Sequence, residues 1–395
     1  MENLFNYNWE LCKLSTEFEK VNERNDGSLG KEHWISVAKM YFQNPDKVQS
    51  NNIDTRTYVM RTGDIAFEGH PNKEFKFGRF VANDIGTGVV SELFPIYRHK
   101  QEYDNYYWKN AIQIERVMGP IFAKSITSSG NSSNKLDPNH FLRQQVFIPK
   151  LEEQKKIGLF LKKLDDTITL HQRKLDQLKE LKKAYLKAML ISMNTKNNKV
   201  PKLRFADFEG EWDQRKFKAF SKKTGKKNSQ NLNYPAYSVS NKSGLISQSE
   251  QFNGNRLDTL EKHSYKIVEP YEFAYNPARI NVGSIAFNTL GKPVIVSSLY
   301  VVLQMEDNLN NDFILQFIKS PAFVREVKRN TEGSVREYLF YENFANIKFP
   351  YTKNIKEQQK IGAFFKKSDD TIALRQNKLN QLKALKKAYL QNMFI

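Results

Sequence analysis

Residues 151–190, LEEQKKIGLFLKKLDDTITLHQRKLDQLKELKKAYLKAML, recur as residues 355–394, IKEQQKIGAFFKKSDDTIALRQNKLNQLKALKKAYLQNMF. The copies align without a gap at an offset of 204, and 26 of 40 positions are identical. A duplication of this fidelity sets the plan of the chain: globule, repeat, globule, repeat. Neither copy contains Pro, and the single Gly of each (Gly158, Gly362) lies near its start, just after Pro149 and Pro350. Each copy therefore predicts one unbroken helix.

A 3-4 spacing runs through Ile157, Leu161, Leu164, Ile168, His171, Leu175, Leu178, Lys182, Tyr185 and Met189. Its counterpart is Ile361, Phe365, Ser368, Ile372, Arg375, Leu379, Leu382, Lys386, Tyr389 and Met393. Kept for about five heptads, this is the pattern of a coiled-coil seam. At 1.5 Å per residue each helix is about 60 Å long. Such a helix cannot bury its own apolar stripe, so the two copies are expected to pack on each other. His171, Arg375, Lys182 and Lys386 weaken that seam while fixing its register. The alternative is that each helix lies only on its own globule.

The globules repeat faintly. Trp9-Glu10 and Trp212-Asp213 open the halves, and Ser36-Val37 and Ser238-Val239 each end a strand pattern. Ser91-Glu92-Leu93-Phe94 corresponds to Ser297-Ser298-Leu299-Tyr300, and Gly130 and Phe141 to Gly333 and Phe344. Short β-rich runs such as VVSELFPIY and PVIVSSLYVVLQM alternate with Gly, Pro and Asn turns, and Asn311 to Lys328 reads as helical. The expectation is an α+β chain with two mixed α/β domains separated by two long helices, in a pseudo-two-fold repeat. Its boundaries are 1–150 (first domain), 151–193 (central helix), 194–202 (polar linker, NTKNNKVPK), 203–354 (second domain) and 355–395 (C-terminal helix).

Nearly identical helices carrying dissimilar globules suit a protein that holds two distinct binding surfaces at a set separation. A net charge of +19 and a pI near 9.6 favour a polyanionic partner. A split, asymmetric DNA site fits both observations, because two modules on a rigid spacer gain effective concentration only at the built-in spacing.

The repeated EQxKIGxFxKKxDDTI…KLxQLKxLKKAYLxxM segments are similar to the spacer regions of the specificity subunits of type I restriction–modification enzymes. The lead-ins VPKLRFADFEGEWDQRKF (200–217) and NWELCKL (8–14), and the segments TGDIAFEGH (62–70) and EPYEFAYNPARINVGSIAF (269–287), resemble that family too. The resemblance covers essentially the whole chain. It implies that each domain reads one half of a bipartite double-stranded DNA target, while the helices pair antiparallel and set the unread spacer. It further implies two methyltransferase subunits docked on the helices and two restriction subunits in the complex. S-adenosylmethionine, ATP and magnesium belong to those other subunits, and the chain itself is expected to be non-catalytic and to bind no cofactor or metal.

The residues agree with that division of labour. No GxxxxGK[ST] loop is present. The nearest approach to an NPPY-type tetrapeptide, Asn276-Pro277-Ala278-Arg279, lacks the second Pro and the aromatic. The six histidines and the single Cys12 show no zinc-ligand spacing. Asp165-Asp166 and Asp369-Asp370 tempt as metal carboxylates, yet neighbours on a helix point about 100° apart, which favours a solvated face. No apolar run approaches the length of a membrane span, the N-terminus MENLFNYNWELCK has no signal-peptide pattern, and one cysteine fits a reducing compartment. A cytoplasmic protein is expected. A self-contained methyltransferase or nuclease with unfamiliar motifs remains an alternative, as does a coiled-coil nucleic-acid-binding scaffold whose charge serves RNA or membranes.

Phosphate contacts call for Lys and Arg, and base readout for Arg, Lys, Asn and Gln. In the first domain the candidates are Lys39, Tyr41 and Gln43, then Arg61, His70, Asn72, Lys73, Lys76 and Arg79. In the second they are Asn241, Lys242 and Ser243, then Tyr275, Asn276, Arg279 and Asn281. Lys222, Lys223, Lys226 and Lys227 around Thr224-Gly225 read as a flexible phosphate-contacting loop.

Overall fold

The computed structural model describes residues 9–48, 56–129, 133–190, 199–241, 244–248, 262–331 and 338–394. The chain divides into two compact units, residues 1–173 with 377–395, and residues 174–376.

In the first unit a four-stranded antiparallel sheet has the order Phe18–Val21, Ile96–His99, Ile65–Glu68, Arg79–Ala82. Side chains alternate across it with the period of two that extended backbone imposes. Phe18, Ile65, Phe67, Phe80 and Tyr97 enter one core together with Tyr107, Trp108, Phe122 and Phe141 from the helical segments. Ala66, Val81 and Ile96 face a second core with Ile35, Met60 and Val90. The strand Ile65–Glu68 is buried on both faces, which is why it reads as a continuous apolar run. Three further pairs complete the shared plan: Glu10–Lys13 with Gln145–Ile148, Thr57–Met60 with Gly88–Ser91, and Ile35–Ser36 with Tyr41–Phe42. Ile126–Ser129 pairs with Asn134–Leu136 in this unit as well.

The second unit repeats the plan strand for strand. Its four-stranded sheet runs Ser221–Lys223, Val301–Met305, Phe273–Tyr275, Ile285–Phe287. Phe273, Tyr275, Ile285 and Leu303 face the larger core, and Ala274, Ala286 and Val302 the smaller. Asp213–Lys216 pairs with Lys348–Tyr351, Lys266–Val268 with Val294–Val296, and Tyr237–Ser240 with Gly244–Ser247. Lone bridges match too: parallel Trp34 to Val89 and Ala236 to Ile295, antiparallel Arg24 to Tyr58 and Lys227 to Lys266.

Two asparagines per unit hold equivalent turns. Asn25 and Asn228 each bridge both ways to the backbone four residues on, at Leu29 and Leu232. Asn83 Nδ2 donates to the carbonyls of Met60 and Gly86, and Asn288 Nδ2 to those of Val268 and Lys292. Both Asn83 and Asn288 are fully buried, so these bonds satisfy groups that water cannot reach. Of the paired positions read from sequence, Phe141 and Phe344 are both fully buried, while Gly130 and Gly333 lie outside the described residues.

The repeated segments form helices Leu151–Met189 and Ile355–Met393, each of 39 residues. All the seam positions are buried or half-buried: Ile157, Leu161, Leu164, Ile168, Leu175, Leu178 and Tyr185, and likewise Ile361, Phe365, Ile372, Leu379, Leu382 and Tyr389. In the first unit Lys386 Nζ lies 2.7 Å from Asp165 Oδ1, and Phe160 meets Tyr389 edge-on at 4.9 Å. In the second unit the equivalent residues meet: Lys182 Nζ lies 2.6 Å from Asp369 Oδ1, and Tyr185 meets Phe364 edge-on at 5.3 Å. Asp165 and Asp369 are therefore spent on cross-helix lysines, whereas Asp166 and Asp370 are exposed. Each core takes the start of one helix and the end of the other. Ile157 and Leu161 share a cluster with Met393 and Phe394, and Ile361 and Phe365 share one with Met189 and Leu190.

The start of each helix is clamped by the repeated Gln and Gly. Gln154 Oε1 accepts the Asp104 amide at 3.2 Å and its Nε2 donates to the Pro149 carbonyl at 3.0 Å. Gln358 Oε1 accepts the Asn310 amide at 2.8 Å and its Nε2 donates to the Thr352 carbonyl at 2.8 Å. Asp104 and Asn310 cap the helices Asn105–Ala111 and Asn311–Ile318, whose first turns press on Gly158 and Gly362. A Cβ at Gly158 would overlap the Asp104 carboxylate, and one at Gly362 would sit 2.8 Å from Asn310 Oδ1.

Candidate nucleic-acid interface

Ladder register sorts the candidate residues by end of the sheet. In the first unit, strand Ile96–His99 leads from its C-terminal end through Asp104 to the helix that abuts the long helix. Its N-terminal end points away, and three connections gather there. The turn Ser91–Pro95 precedes the strand, and the loop 69–78 joins Glu68 to Arg79, with the Phe67 amide bonded to the Pro95 carbonyl at 3.0 Å. The turn between Ile35–Ser36 and Tyr41–Phe42 comes alongside, since Arg79 Nη2 donates to the Ala38 carbonyl at 2.6 Å.

Lys39, Tyr41, Gln43, His70, Asn72, Lys73, Lys76 and Arg79 are thus brought to one end. Lys39, Lys73 and Lys76 are exposed, and Lys76 Nζ sits 5.2 Å from the centre of the Phe77 ring. Asn72 turns its Oδ1 inward to the amides of Glu74 and Phe75, shaping the loop. Arg79 is half-buried, 3.2 Å from Glu68 and stacked on Phe75, and His70 Nδ1 lies 3.3 Å from Glu68.

Arg61 lies elsewhere, which corrects its grouping with the 70–79 segment. Its guanidinium is held 2.6 Å from Glu23, within a cluster in which Arg98 bridges Glu23 (3.1 Å) and Asp64 (2.8 Å). Hydrogen bonds from Arg61 and Arg98 hold the Glu23 carboxyl below the usual carboxylate range. Sequence pattern pairs neighbours along the chain; strand Ile65–Glu68 carries Arg61 and His70 to opposite ends.

The second unit has the same end. The loop 276–284 connects Tyr275 to Ile285, Ser284 Oγ donates to the Val239 carbonyl at 2.8 Å, and the turn 297–300 precedes Val301. Asn241 and Arg279 are exposed there, Asn281 is half-buried, and Asn276 Oδ1 accepts the Ala278 amide at 3.0 Å. Lys242 and Ser243 lie outside the described residues. Tyr275 is a correction: it is fully buried in the central strand and its hydroxyl donates to the Leu339 carbonyl at 3.0 Å, so it is a core residue that no DNA group reaches.

The lysine segment 222–227 is likewise not a flexible loop. Lys222 and Lys223 belong to the edge strand Ser221–Lys223, and the Thr224 amide bonds the Val302 carbonyl at 2.9 Å. Gly225, at φ +82°, packs on Val302, the Lys226 carbonyl accepts the Ile267 amide, and Lys227 bridges to Lys266. Lys223 sits 3.2 Å from Glu342. A surface depression of about 460 Å³ is lined by Lys223, Thr224, Gly225, Lys226, Ile267, Glu269 and Glu272. Lys266, which the sequence did not single out, donates to the Tyr300 carbonyl at 2.6 Å. Burial and the nearby Lys223 and Lys227 lower its pKa. Its signal was spatial only, since it lies about 40 residues along the chain from the other two.

No helix among the described residues is long and apolar enough to cross a membrane, and no group of His, Cys, Asp and Glu among them could hold a metal ion.

Known proteins share this arrangement. An S subunit of a type I restriction-modification system from M. genitalium superposes with a TM-score of 0.61 at 13% identity, over 100% of this chain and 98% of that one. A chain from a structure addressing complex assembly and conformational transition of the type I R-M system gives 0.51 at 13% identity, over 97% and 96%. At such identity the likeness establishes the fold. Residues 85–180 and 211–384 match the family described as type I restriction modification DNA specificity domain, a match that takes in the whole second sheet and most of both long helices. The twice-built sheet, its basic end loops and the duplicated helix are accordingly those of a type I restriction–modification specificity subunit, the DNA-recognition family to which this chain belongs.

Proposed function

We propose that domains 1–150 and 203–354 each read one half of a bipartite, asymmetric double-stranded DNA target, without themselves performing chemistry. The helices 151–193 and 355–395, joined to the second domain by the linker 194–202, pack as an antiparallel coiled coil whose length sets the unread spacer. The observation that carries this reading is the reciprocal pairing Asp165–Lys386 and Asp369–Lys182. Offset by 204, each pair is the other's image, and residues near the start of one helix meet residues near the end of the other in both cases. A lysine at a seam position that finds a carboxylate only in this register selects that register.

The partners in this reading are two methyltransferase subunits docked on the helices and two restriction subunits, acting in the cytoplasm. S-adenosylmethionine, ATP and magnesium act on those subunits. Exposed leucines support docking on the helices: Leu170 and Leu385 in the first unit are 50% and 45% exposed, and Leu374 and Leu181 in the second 72% and 49%. The contacts to DNA come from the end loops, with Lys39, Lys73, Lys76 and Arg279 as exposed cations and Tyr41, Gln43, Asn241 and Asn281 beside them.

The test is methylome sequencing of cells making this chain with its methyltransferase subunit. A two-part motif with a fixed gap is expected. Replacing residues 203–354 by another recognition domain should change one half of the motif and leave the other, and inserting a helical turn in either long helix should lengthen the gap. Methylation by the purified chain alone, or a motif without a gap, would refute the reading.

A further inference from the structure

Among the described residues, each unit holds a turn leucine that its fold leaves almost wholly in solvent. Leu93 is 82% exposed and Leu299 is 79% exposed. A single exposed leucine is ordinary. These two occupy the same position of the same turn. Ser91 ends the strand paired with Thr57–Met60, and Ser297 directly follows the equivalent strand, paired with Lys266–Val268. The Leu93 and Leu299 amides lie 3.4 Å from Ser91 Oγ and Ser297 Oγ respectively, and the Phe94 and Tyr300 amides bond the Ser91 and Ser297 carbonyls at 3.0 Å. Phe94 and Tyr300 pack inward on the smaller core, so the turn is anchored and its leucine points out by construction.

The surroundings specify the partner. Both turns stand at the sheet end that gathers the candidate cations. Beside Leu299, Lys266 bonds the Tyr300 carbonyl, with Lys223 and Lys227 close enough to depress its pKa. Beside Leu93, Arg24 reaches Glu92 at 2.9 Å and covers the Tyr58 ring at 4.8 Å. One apolar side chain with a cation beside it, Arg24 near Leu93 and Lys266 near Leu299, lacks the broad apolar patch of a protein-docking surface. It matches the groove of a duplex, where apolar side chains touch thymine methyls or wedge at base steps while cations hold the phosphates. We propose that Leu93 and Leu299 are apolar groove contacts to DNA, one in each half of the target. This rests on the DNA-reading function proposed above.

The test uses the complex of the full chain with its methyltransferase subunit, binding a duplex that carries the whole target. Leu93→Ser and Leu299→Ser change exposed turn residues, and circular dichroism checks their folding. Each should weaken binding about tenfold, as expected for withdrawing a leucine side chain from an apolar contact. The dependence of affinity on salt should stay unchanged, because no phosphate contact is removed. Scrambling the half-site read by the first domain should abolish the effect of Leu93→Ser but preserve that of Leu299→Ser, and the converse should hold for the other half-site.

The inference is overturned if the double variant binds and methylates as the parent does, or if the loss comes with a shallower salt dependence. It is equally overturned if the variants fail to assemble with the methyltransferase subunit, which would make the leucines a protein contact. Failure of the underlying reading looks different: the parent complex would then show no preference for one sequence over another.

Discussion

The same place in the two units is built from the same backbone and differently charged side chains. In the first unit Arg98 bridges Glu23 and Asp64, with Arg61 alongside. Hydrogen bonds identify the counterparts. The Glu23 and Lys226 carbonyls accept the amides of Val59 and Ile267, and the Arg61 and Glu269 amides bond the Asp64 and Glu272 carboxylates. Ladder register puts Gln304 where the first unit has Arg98. The second unit thus has a depression lined by Lys226, Glu269 and Glu272 where the first has a closed ion-pair cluster. The backbone plan tolerates this change of side chains because it is held by other groups, Asn25 and Asn83 with their twins Asn228 and Asn288. Surface chemistry is free to diverge once the frame is satisfied by buried amides.

That comparison breaks most readily at Arg98. Arg98→Gln imports the second unit's residue and leaves Asp64, whose side chain is 3% exposed, without its cation. The expected loss is about 3 kcal/mol, the order found when one partner of a buried pair is removed. Gln304→Arg in the second unit should change stability by less than about 1 kcal/mol, as for exposed pairs. Urea unfolding of both variants measures the contrast, and equal effects would deny that the two places differ in kind.

The frame asparagines test the other half of the comparison. Asn83→Ala and Asn288→Ala should each cost about 2 kcal/mol, because either takes the donor from a buried carbonyl, that of Met60 or Val268. Thermal unfolding should show similar losses for both. A large loss at only one would mean that the shared turn is decorative in the other unit.

A pH difference is expected next. The His99 side chain is 1% exposed between Phe18, Tyr103 and Trp108, and burial lowers its pKa although Glu17 lies 3.7 Å away. With the folded pKa depressed, the unfolded chain takes up the proton first. Stability is then complete above about pH 6.5 and falls as pH drops below that value. Met305 pairs in the second unit as His99 does in the first, so His99→Met should remove this acid sensitivity. An unaltered stability profile between pH 7 and pH 5 would contradict it.

The smallest effect is at the helices. Lys386→Met and Lys182→Met each remove one partly exposed pair, and each should cost about 1 kcal/mol or less. The two should match within error, since the pairs are images of one another.

The duplication was legible because helix packing constrains side chains directly. Seam residues such as Leu161 and Leu175 must be apolar at fixed spacing, so the two copies kept a common pattern. The clamp at the helix start left the same trace in Gln154 with Gly158 and Gln358 with Gly362. The strand-for-strand equivalence of the globules was nearly hidden, because a sheet asks only for alternation. Ala66 matches Ala274, yet Tyr97 matches Leu303 and Arg98 matches Gln304. Candidate contacts fared accordingly. Lys39, Lys73 and Arg279, named from type and position, are exposed at the sheet ends, whereas Tyr275 looked equally available and is core. Arg61 sits in a basic segment but at the wrong end of a strand.

By itself the amino-acid sequence determined the long helices, the order of parts and the polyanion-seeking charge. All three follow from local periodicity and composition, which need no partner residue to be expressed. Tertiary structure alone decided that each core closes over the start of one helix and the end of the other, and which loops share a sheet end. It also decided that Leu93 and Leu299 stand in solvent. These depend on residues tens to hundreds of positions apart meeting in register, and strand pairing, unlike helix periodicity, writes no fixed spacing into the chain.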